Sequence, residues 1–365
     1  MTAIPVAFYA PLKSPHHPVP SGDRTVARLL VGALAAAGFD PKLASDMRSF
    51  EPAGSPDAQR AIEAAGQLEV DRIDRETPRS LRPEVWFTYH NYYKAPDHLG
   101  PTLSRRWGAT YVLAEATRAG KRAAGPWAAA HRAAEVANDA ADVVFALTAP
   151  DREAWGDDPR VASLPPFLDV ANWPAPVRTG PGDGEARLLA VAMMRNGDKL
   201  ASYGALAASL HQLGRTDWRL TVVGDGPARP AVEAMFAPFG PRVTWVGEVL
   251  QSDLAALYAA SDLLVWPAVN EAYGMALLEA QACGCPVLAG HHGGVADAMR
   301  AGETGLLADP AAFARILGGL LADRPELARL GAGASRFMRT ERTVEHAAAI
   351  LRRVIAPLLA RNAAA

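Results

Sequence analysis

Apolar residues in this chain fall in short unbroken runs rather than in strict alternation with polar ones. Such runs centre on Pro5–Ala10, Glu84–His90, Thr110–Ala114, Asp142–Thr148, Arg187–Met194, Trp218–Val223, Val243–Gly247, Asp262–Pro267 and Pro286–Ala289. A short run without alternation predicts a strand covered on both faces, as in a parallel sheet. Leu43–Ser45 reads as a further short strand. Helical segments are predicted over Thr25–Ala37, Asp57–Leu68, Trp127–Ala140, from Leu200 onward, from Ala276, over Ala311–Ala322 and over Pro325–Arg339. Glu345–Leu359 is an amphipathic helix, with Ile350, Leu351, Val354, Ile355 and Leu358 on one side. Strand and helix alternate, which predicts a doubly wound α/β architecture. The pattern restarts at Arg187 after a Pro- and Gly-rich stretch. The expected organisation is a first domain over 1–171, a linker over 172–186, a second domain over 187–343 and a terminal segment over 344–365.

The chain has 365 residues, long enough for two domains of ordinary size. Half of the residues are hydrophobic and 21% charged, as in a soluble globular protein. The net charge of −2 gives no global sign of nucleic-acid binding. No run of eighteen apolar residues predicts a membrane span, and no basic segment followed by an apolar one reads as a secretory signal. A cytoplasmic location is expected. The only cysteines, Cys283 and Cys285, lie one residue apart, which is not metal-ligand spacing. Charge is unevenly spread: residues 72–132 carry eleven Lys or Arg against five Asp or Glu. That excess suits a solvated face, or a basic surface for an anionic acceptor or for the headgroups at the inner face of a membrane.

The stretch Asn270–Ala280 carries the densest candidate chemistry. It passes from the strand at Asp262–Pro267 through a loop into a helix, with Gly274 at the junction. Backbone N–H groups and the positive end of the helix dipole meet there, which suits an anion. Glu271 in the loop and Glu279 about one turn into the helix flank the same mouth. The same two residues also suit a solvated loop and an exposed helix face. His90 ends the strand Glu84–His90, where doubly wound sheets place their ligands. It fits a sugar or acceptor contact, or a hydrogen-bonded structural histidine. Gly224-Asp225-Gly226-Pro227 lacks the third glycine of a dinucleotide fingerprint and reads as a packing turn.

Glu271-x7-Glu279, with Tyr273-Gly274 inside it, is followed by Cys283–Ala289, His292-Gly293-Gly294 and Gly302–Leu307. This run resembles the donor domain of retaining glycosyltransferases of family 4, which have the GT-B fold. The resemblance is specific over Leu188–Leu307 and extends more weakly over Val6–Asp169. It implies two doubly wound, Rossmann-like domains facing each other across a cleft. The last helix would cross back onto the first domain. The first domain would take the acceptor and the second a UDP- or GDP-linked sugar, which is substrate and not cofactor. In the family's pattern Glu279 grips the ribose, Glu271 the donor sugar, and Gly274 and Met275 offer amide N–H groups to the phosphates beside Tyr273. Arg195 and Lys199 would clamp the diphosphate, although the family spaces its pair by four residues and this chain by three. Gly247 and Val249 lie where relatives hold the nucleotide base. Gly22 is what remains of a glycine-rich loop. Glu115 stands where the family often has a histidine against the transferred sugar.

The implied reaction is metal-independent glycosyl transfer with retention, in cell-surface glycan or glycolipid synthesis, to a glycan, lipid-linked or small-molecule acceptor. No Asp-x-Asp metal motif occurs. Two other readings remain open at this level: a non-catalytic sugar-nucleotide-binding protein of the same fold, and a glycoside hydrolase using the two glutamates as a carboxylate pair.

Overall fold

Two six-stranded parallel sheets, each flanked by helices, divide the chain into two units. The first comprises Met1–Pro165 and Val344–Ala365, the second Pro166–Thr343. The structure, a computed structural model, describes residues 3–174, 184–214 and 217–362.

Unit 1 contains β1 (Ile4–Tyr9), β2 (Phe39–Ser45), β3 (Val85–Asn91), β4 (Thr110–Ala116), β5 (Val143–Ala146) and β6 (Val161–Ser163), in the order β2-β1-β3-β4-β5-β6. Phe8, Tyr9, Trp86, Phe87 and Phe145 are buried along these strands, because helices cover both faces of the sheet. The tip after β3 partly turns inward. Asp97 is buried and accepts from the Thr88 and Tyr111 hydroxyls and from the Leu99 and Gly100 amides, so it is a structural carboxylate. The last helix, Val344–Asn362, packs on the helix Gly22–Ala36, and Arg352 donates to the Ala37 carbonyl at 3.3 Å.

Unit 2 contains β7 (Ala186–Val191), β8 (Trp218–Val223), β9 (Val243–Gly247), β10 (Leu263–Trp266), β11 (Val287–Gly290) and β12 (Gly305–Ala308), in the order β12-β11-β10-β7-β8-β9. The chain order reverses between β7 and β10, which pair through Leu188↔Leu263 and Leu189↔Leu264. In unit 1 the reversal falls between β1 and β3. Ligands of open α/β sheets bind beyond the strand ends at these switch points. Matching aspartates brace the opposite edge. Asp142, just before β5, accepts from the Tyr111 amide, and Asp262, just before β10, from the Arg187 amide.

Several boundaries differ from expectation. The first unit ends at Pro165 rather than at 171. Leu168 donates its amide to the Arg342 carbonyl and Trp173 packs edge-on against Tyr258, which ties 166–174 to unit 2. Of the expected linker, 175–183 lie outside the described residues, and Ala186 already pairs within the second sheet. The helix expected to stop at Leu68 runs over Pro56–Glu76, its last turns carrying Arg72 ion pairs to Glu69 and Glu76. The second strand is seven residues long rather than three.

The 224–226 turn is indeed a packing contact. A Cβ on Gly224 would lie 2.0 Å from the Ala192 carbonyl oxygen, and one on Gly226 2.4 Å from that of Met194. The turn after β11 presses equally closely on the loop after β10. A Cβ on Gly290 would lie 1.8 Å from the Pro267 carbonyl oxygen, and one on Gly293 2.4 Å from that of Glu271. Gly290→Ala should therefore lower the melting temperature and displace the Glu271 loop. Gly319, exposed inside the helix Phe313–Ala322 with open space around it, offers the opposite case. Gly319→Ala should stabilise by roughly 0.5–1 kcal/mol through helix propensity. Thermal unfolding of both variants checks this; equal or inverted shifts would contradict the packing described.

Candidate functional site

In unit 2 the loop after β10 holds three left-handed residues in seven: Ala268 (φ 54°), Asn270 (φ 51°) and Gly274 (φ 79°). The two that are not glycine each cost on the order of 1–3 kcal/mol, so surrounding contacts must hold them. The Val269 amide donates to Ser202 Oγ at 2.9 Å, and Asn270 Nδ2 to Asp198 Oδ2 at 3.0 Å. Both partners stand in the helix Asp198–Gln212 that follows β7. The loop is thus laced across the switch point.

Glu271 projects from this loop. Its Oε2 accepts from Lys199 Nζ and, at 3.2 Å, from the indole N–H of Trp266. Lys199 Nζ also lies 5.5 Å from the Trp266 ring centroid. Both side chains are partly buried, Lys199 at 27% and Glu271 at 15% exposure. Arg195 sits on the loop between β7 and this helix, exposed, with no ion pair among the described residues.

Gly274 caps the helix Met275–Ala282, whose first amides, on Met275 and Ala276, precede its first hydrogen-bonded turn. Glu279 follows one turn on, half-buried. Tyr258 donates its hydroxyl to Glu279 Oε2 at 2.9 Å. Burial pushes the Glu279 carboxyl up to about 7, and the tyrosine hydrogen bond pulls against that shift. Tyr273 is buried at 6% exposure and faces the core rather than solvent. Gly247 (φ 78°) ends β9, its carbonyl accepting from the Gly224 amide at 2.8 Å, and Val249 is half-buried just beyond. Cys283 and Cys285 are buried free thiols, and burial pushes Cys283 up to about 12.

In unit 1 His90 (φ 70°) and Glu115 (φ 55°) end the adjacent strands β3 and β4, both in left-handed backbone. His90 Nδ1 lies 3.6 Å from Asp23 Oδ1 and 3.8 Å from Glu115 Oε1, beyond hydrogen-bond length. Burial pushes Glu115 up to about 8, reinforced by the charges of Asp151 and Asp23. Burial also raises Asp151 and lowers His90, the latter opposed by the same two aspartates. Asp23 opens the helix after β1, and Asp151 sits in the helix after β5, so side chains from four strand ends converge. Gly22 is the first residue of the Gly22–Ala36 helix, capped by Ser21, rather than part of an open loop.

Sequence reasoning missed four of these groups. Trp266 was hidden in an apolar run, although a buried indole N–H needs an acceptor. Asp151 was legible as the acid of a Thr148-x-x-Asp151 capping box. Asp23 and Tyr258 left no local signal. Among the described residues, no group of three His, Cys, Asp or Glu side chains could hold a metal ion.

Comparison with known proteins places this geometry in context. Residues 185–323 match the family model described as glycosyl transferases group 1. A D-inositol 3-phosphate glycosyltransferase of Xylanimonas cellulosilytica is 29% identical over 334 residues, covering 82% of this chain and 79% of that protein. The corresponding protein of Salinispora tropica is 44% identical over 110 residues, only 28% of this chain and 23% of its own length. With that of Streptomyces scabiei, 32% identical, the match covers 70% of this chain and 64% of the relative. Sucrose-phosphate synthase from Thermosynechococcus elongatus superimposes with a TM-score of 0.74 at 20% identity, over 98% of this chain and all of the other. Anabaena HepE in complex with UDP gives 0.71 at 17% identity, over the same shares of the two chains. The chain therefore has the GT-B fold, and residues 185–323, which carry Lys199, Glu271 and Glu279, match the model of group 1 glycosyl transferases.

Proposed function

We propose that this chain is a retaining glycosyltransferase of family 4, moving a sugar from a UDP- or GDP-linked donor to an acceptor hydroxyl without a metal ion. The observation that carries the reading is the Lys199–Glu271–Trp266 contact at the second sheet's switch point, beside the helix mouth at Gly274. A cation, a carboxylate and outward-facing amides are the groups a sugar diphosphate needs.

In this reading Glu279 accepts from the ribose hydroxyls, and Glu271 from the donor sugar. Lys199, Arg195 and the Gly274 and Met275 amides receive the phosphates. The bond between the anomeric carbon and the phosphate oxygen breaks with its electron pair on the oxygen. Lys199, held in place by Glu271, stabilises that charge without reorganising. The acceptor oxygen bonds to the anomeric carbon, and its proton passes to the departing phosphate. Unit 1 supplies the acceptor contacts through His90, Glu115 and Asp23. Residue chemistry alone supports this step; the acceptor named for the inositol-phosphate relatives is one polyhydroxylated candidate, and cell-surface glycans or glycolipids are the broader class.

The two glutamates should separate in steady-state kinetics. Glu279→Gln removes a contact to a part of the donor that does not react, so it should raise KM with little change in kcat. Glu271→Gln should lower kcat, because it both loses the sugar contact and loosens Lys199. Each loss should be about ten- to a hundred-fold, the worth of one charge-assisted hydrogen bond. Normal turnover by Glu271→Gln, with Glu279→Gln inactive despite normal nucleotide affinity, would reverse the roles.

The raised Glu279 carboxyl adds a pH test. Unliganded, it is mostly ionised above about 7 and protonated below. Ribose hydroxyls bind the ionised form better and so lower its pKa in the complex. Nucleoside diphosphate affinity should be flat above pH 7 and fall below it, by at most about tenfold per pH unit. Calorimetry from pH 5.5 to 8.5 reads this. The same slope in Glu279→Gln would show that another group is responsible.

A further inference from the structure

The basic segment 72–132 is not absorbed by the proposed transfer. Much of its charge is consumed locally: Arg72 pairs with Glu69 and Glu76, and Arg118 with Glu135 and Asp139. Three arginines instead border a cavity of 490 Å³ in unit 1, with Pro83, Glu84, Trp107, Thr110 and Leu359 around them.

We propose that the cavity bordered by Arg79, Arg82 and Arg106 binds a phosphate group. The backbone explains the convergence. Arg79–Leu81 is a 3₁₀ turn, whose three-residue repeat sets Arg79 and Arg82 on one side. Arg106 comes from the last turn of the helix Gly100–Trp107, where its charge also suits the helix dipole. Asp74 anchors two of the three. Its Oδ1 accepts from Arg82 Nη2 at 2.8 Å and from Trp107 Nε1 at 2.7 Å, and its Oδ2 from Arg106 Nη1 at 3.1 Å. One carboxylate shared by two guanidiniums leaves both with unused donors. Asp71 makes a further, exposed contact to Arg106 at 3.3 Å.

Two features distinguish these arginines. Arg82 Nε is buried and has no hydrogen-bond partner, which is costly unless an acceptor arrives. Arg79 has no ion pair among the described residues. Among the described residues Glu84 is the one acid that lines the cavity, while Asp74 and Asp71 stand behind Arg82 and Arg106. The donors that Asp74 and Asp71 leave unused on Arg82 and Arg106, with the Arg79 fork, fit a tetrahedral oxyanion with several acceptor oxygens. Within unit 1 the cavity is remote from His90 and Glu115. Glu84 precedes β3 and Thr110 begins β4, so His90 and Glu115 lie at the far ends of those strands, roughly 20 Å away at 3.3 Å per residue. A phosphate here would anchor or tune the protein rather than meet those two side chains. It could belong to a soluble phosphate ester or to an anionic lipid headgroup, which share this chemistry.

The test uses the full chain without donor, in a Lys199→Ala background that removes the proposed diphosphate contact, so it does not depend on turnover. One arm titrates inorganic phosphate by calorimetry. The other measures cosedimentation with phosphatidylglycerol and phosphatidylcholine vesicles. Arg79→Glu should weaken phosphate binding about ten- to a hundred-fold, and Arg79→Lys should retain most of it. Thermal unfolding should be unchanged in both, since the Arg79 side chain has no ion pair among the described residues and only its carbonyl takes part in the turn. If phosphate binds and Arg79→Glu abolishes it, the ligand is a soluble ester. If only phosphatidylglycerol vesicles bind, and Arg79→Glu releases them, it is a headgroup. Indifference of both arms to Arg79→Glu would overturn the proposal.

Discussion

Glu271 accepts from Lys199 and Trp266 through a single oxygen, and this contact joins the exits of β7 and β10. The rest of unit 2 is arranged to keep it there. Ser202 and Asp198 on one side, and the Gly290–Gly293 turn on the other, hold a loop that carries two strained non-glycine residues. The strain costs a few kcal/mol and is borne because the sheet behind it is continuous and buried. A loop fixed in this way presents carboxylate, ammonium and helix amides in set positions before any ligand arrives, which is the condition for electrostatic stabilisation of a leaving phosphate.

Unit 1 repeats the construction with different chemistry. Its strands β3 and β4 also end in left-handed residues, His90 and Glu115, but no cation pairs with them among the described residues. Burial, reinforced by the charges of Asp151 and Asp23 and opposed by a hydrogen bond to Tyr89, pushes Glu115 up to about 8. One edge is therefore charged and paired, suited to a diphosphate. The other has carboxyls raised by burial and is rich in acceptors, suited to hydroxyl groups. The opposite edges are alike, since Asp142 and Asp262 brace the neighbouring strands by the same amide contact.

Most strands were legible because parallel strands covered on both faces leave unbroken apolar runs, as at Trp86-Phe87 and Leu263–Trp266. β2 was read only in part, since Asp40, Pro41 and Lys42 interrupt it, and β6 is too short to stand out. Glu271 and Glu279 stood out by their places around a loop-to-helix junction, and Lys199 through the resemblance to the family's diphosphate clamp. Their partners were not, because Trp266 and Tyr258 serve as packing residues and hydrogen-bond donors at once, and only the fold reveals the second role. The assignment of segment 166–174 to unit 2 depended on Trp173 meeting Tyr258, a contact between distant positions that no local pattern encodes.

The central claim is that fixed protein charges, led by Lys199, take the place of a metal in a retaining transfer. The most direct measurement is nuclear magnetic resonance of the chain with UDP- and GDP-linked sugars and candidate acceptors, in excess chelator. The account predicts release of nucleoside diphosphate at an undiminished rate and a product with the anomeric configuration of the donor. Turnover lost in chelator and restored by a divalent ion, or an inverted product, would contradict it.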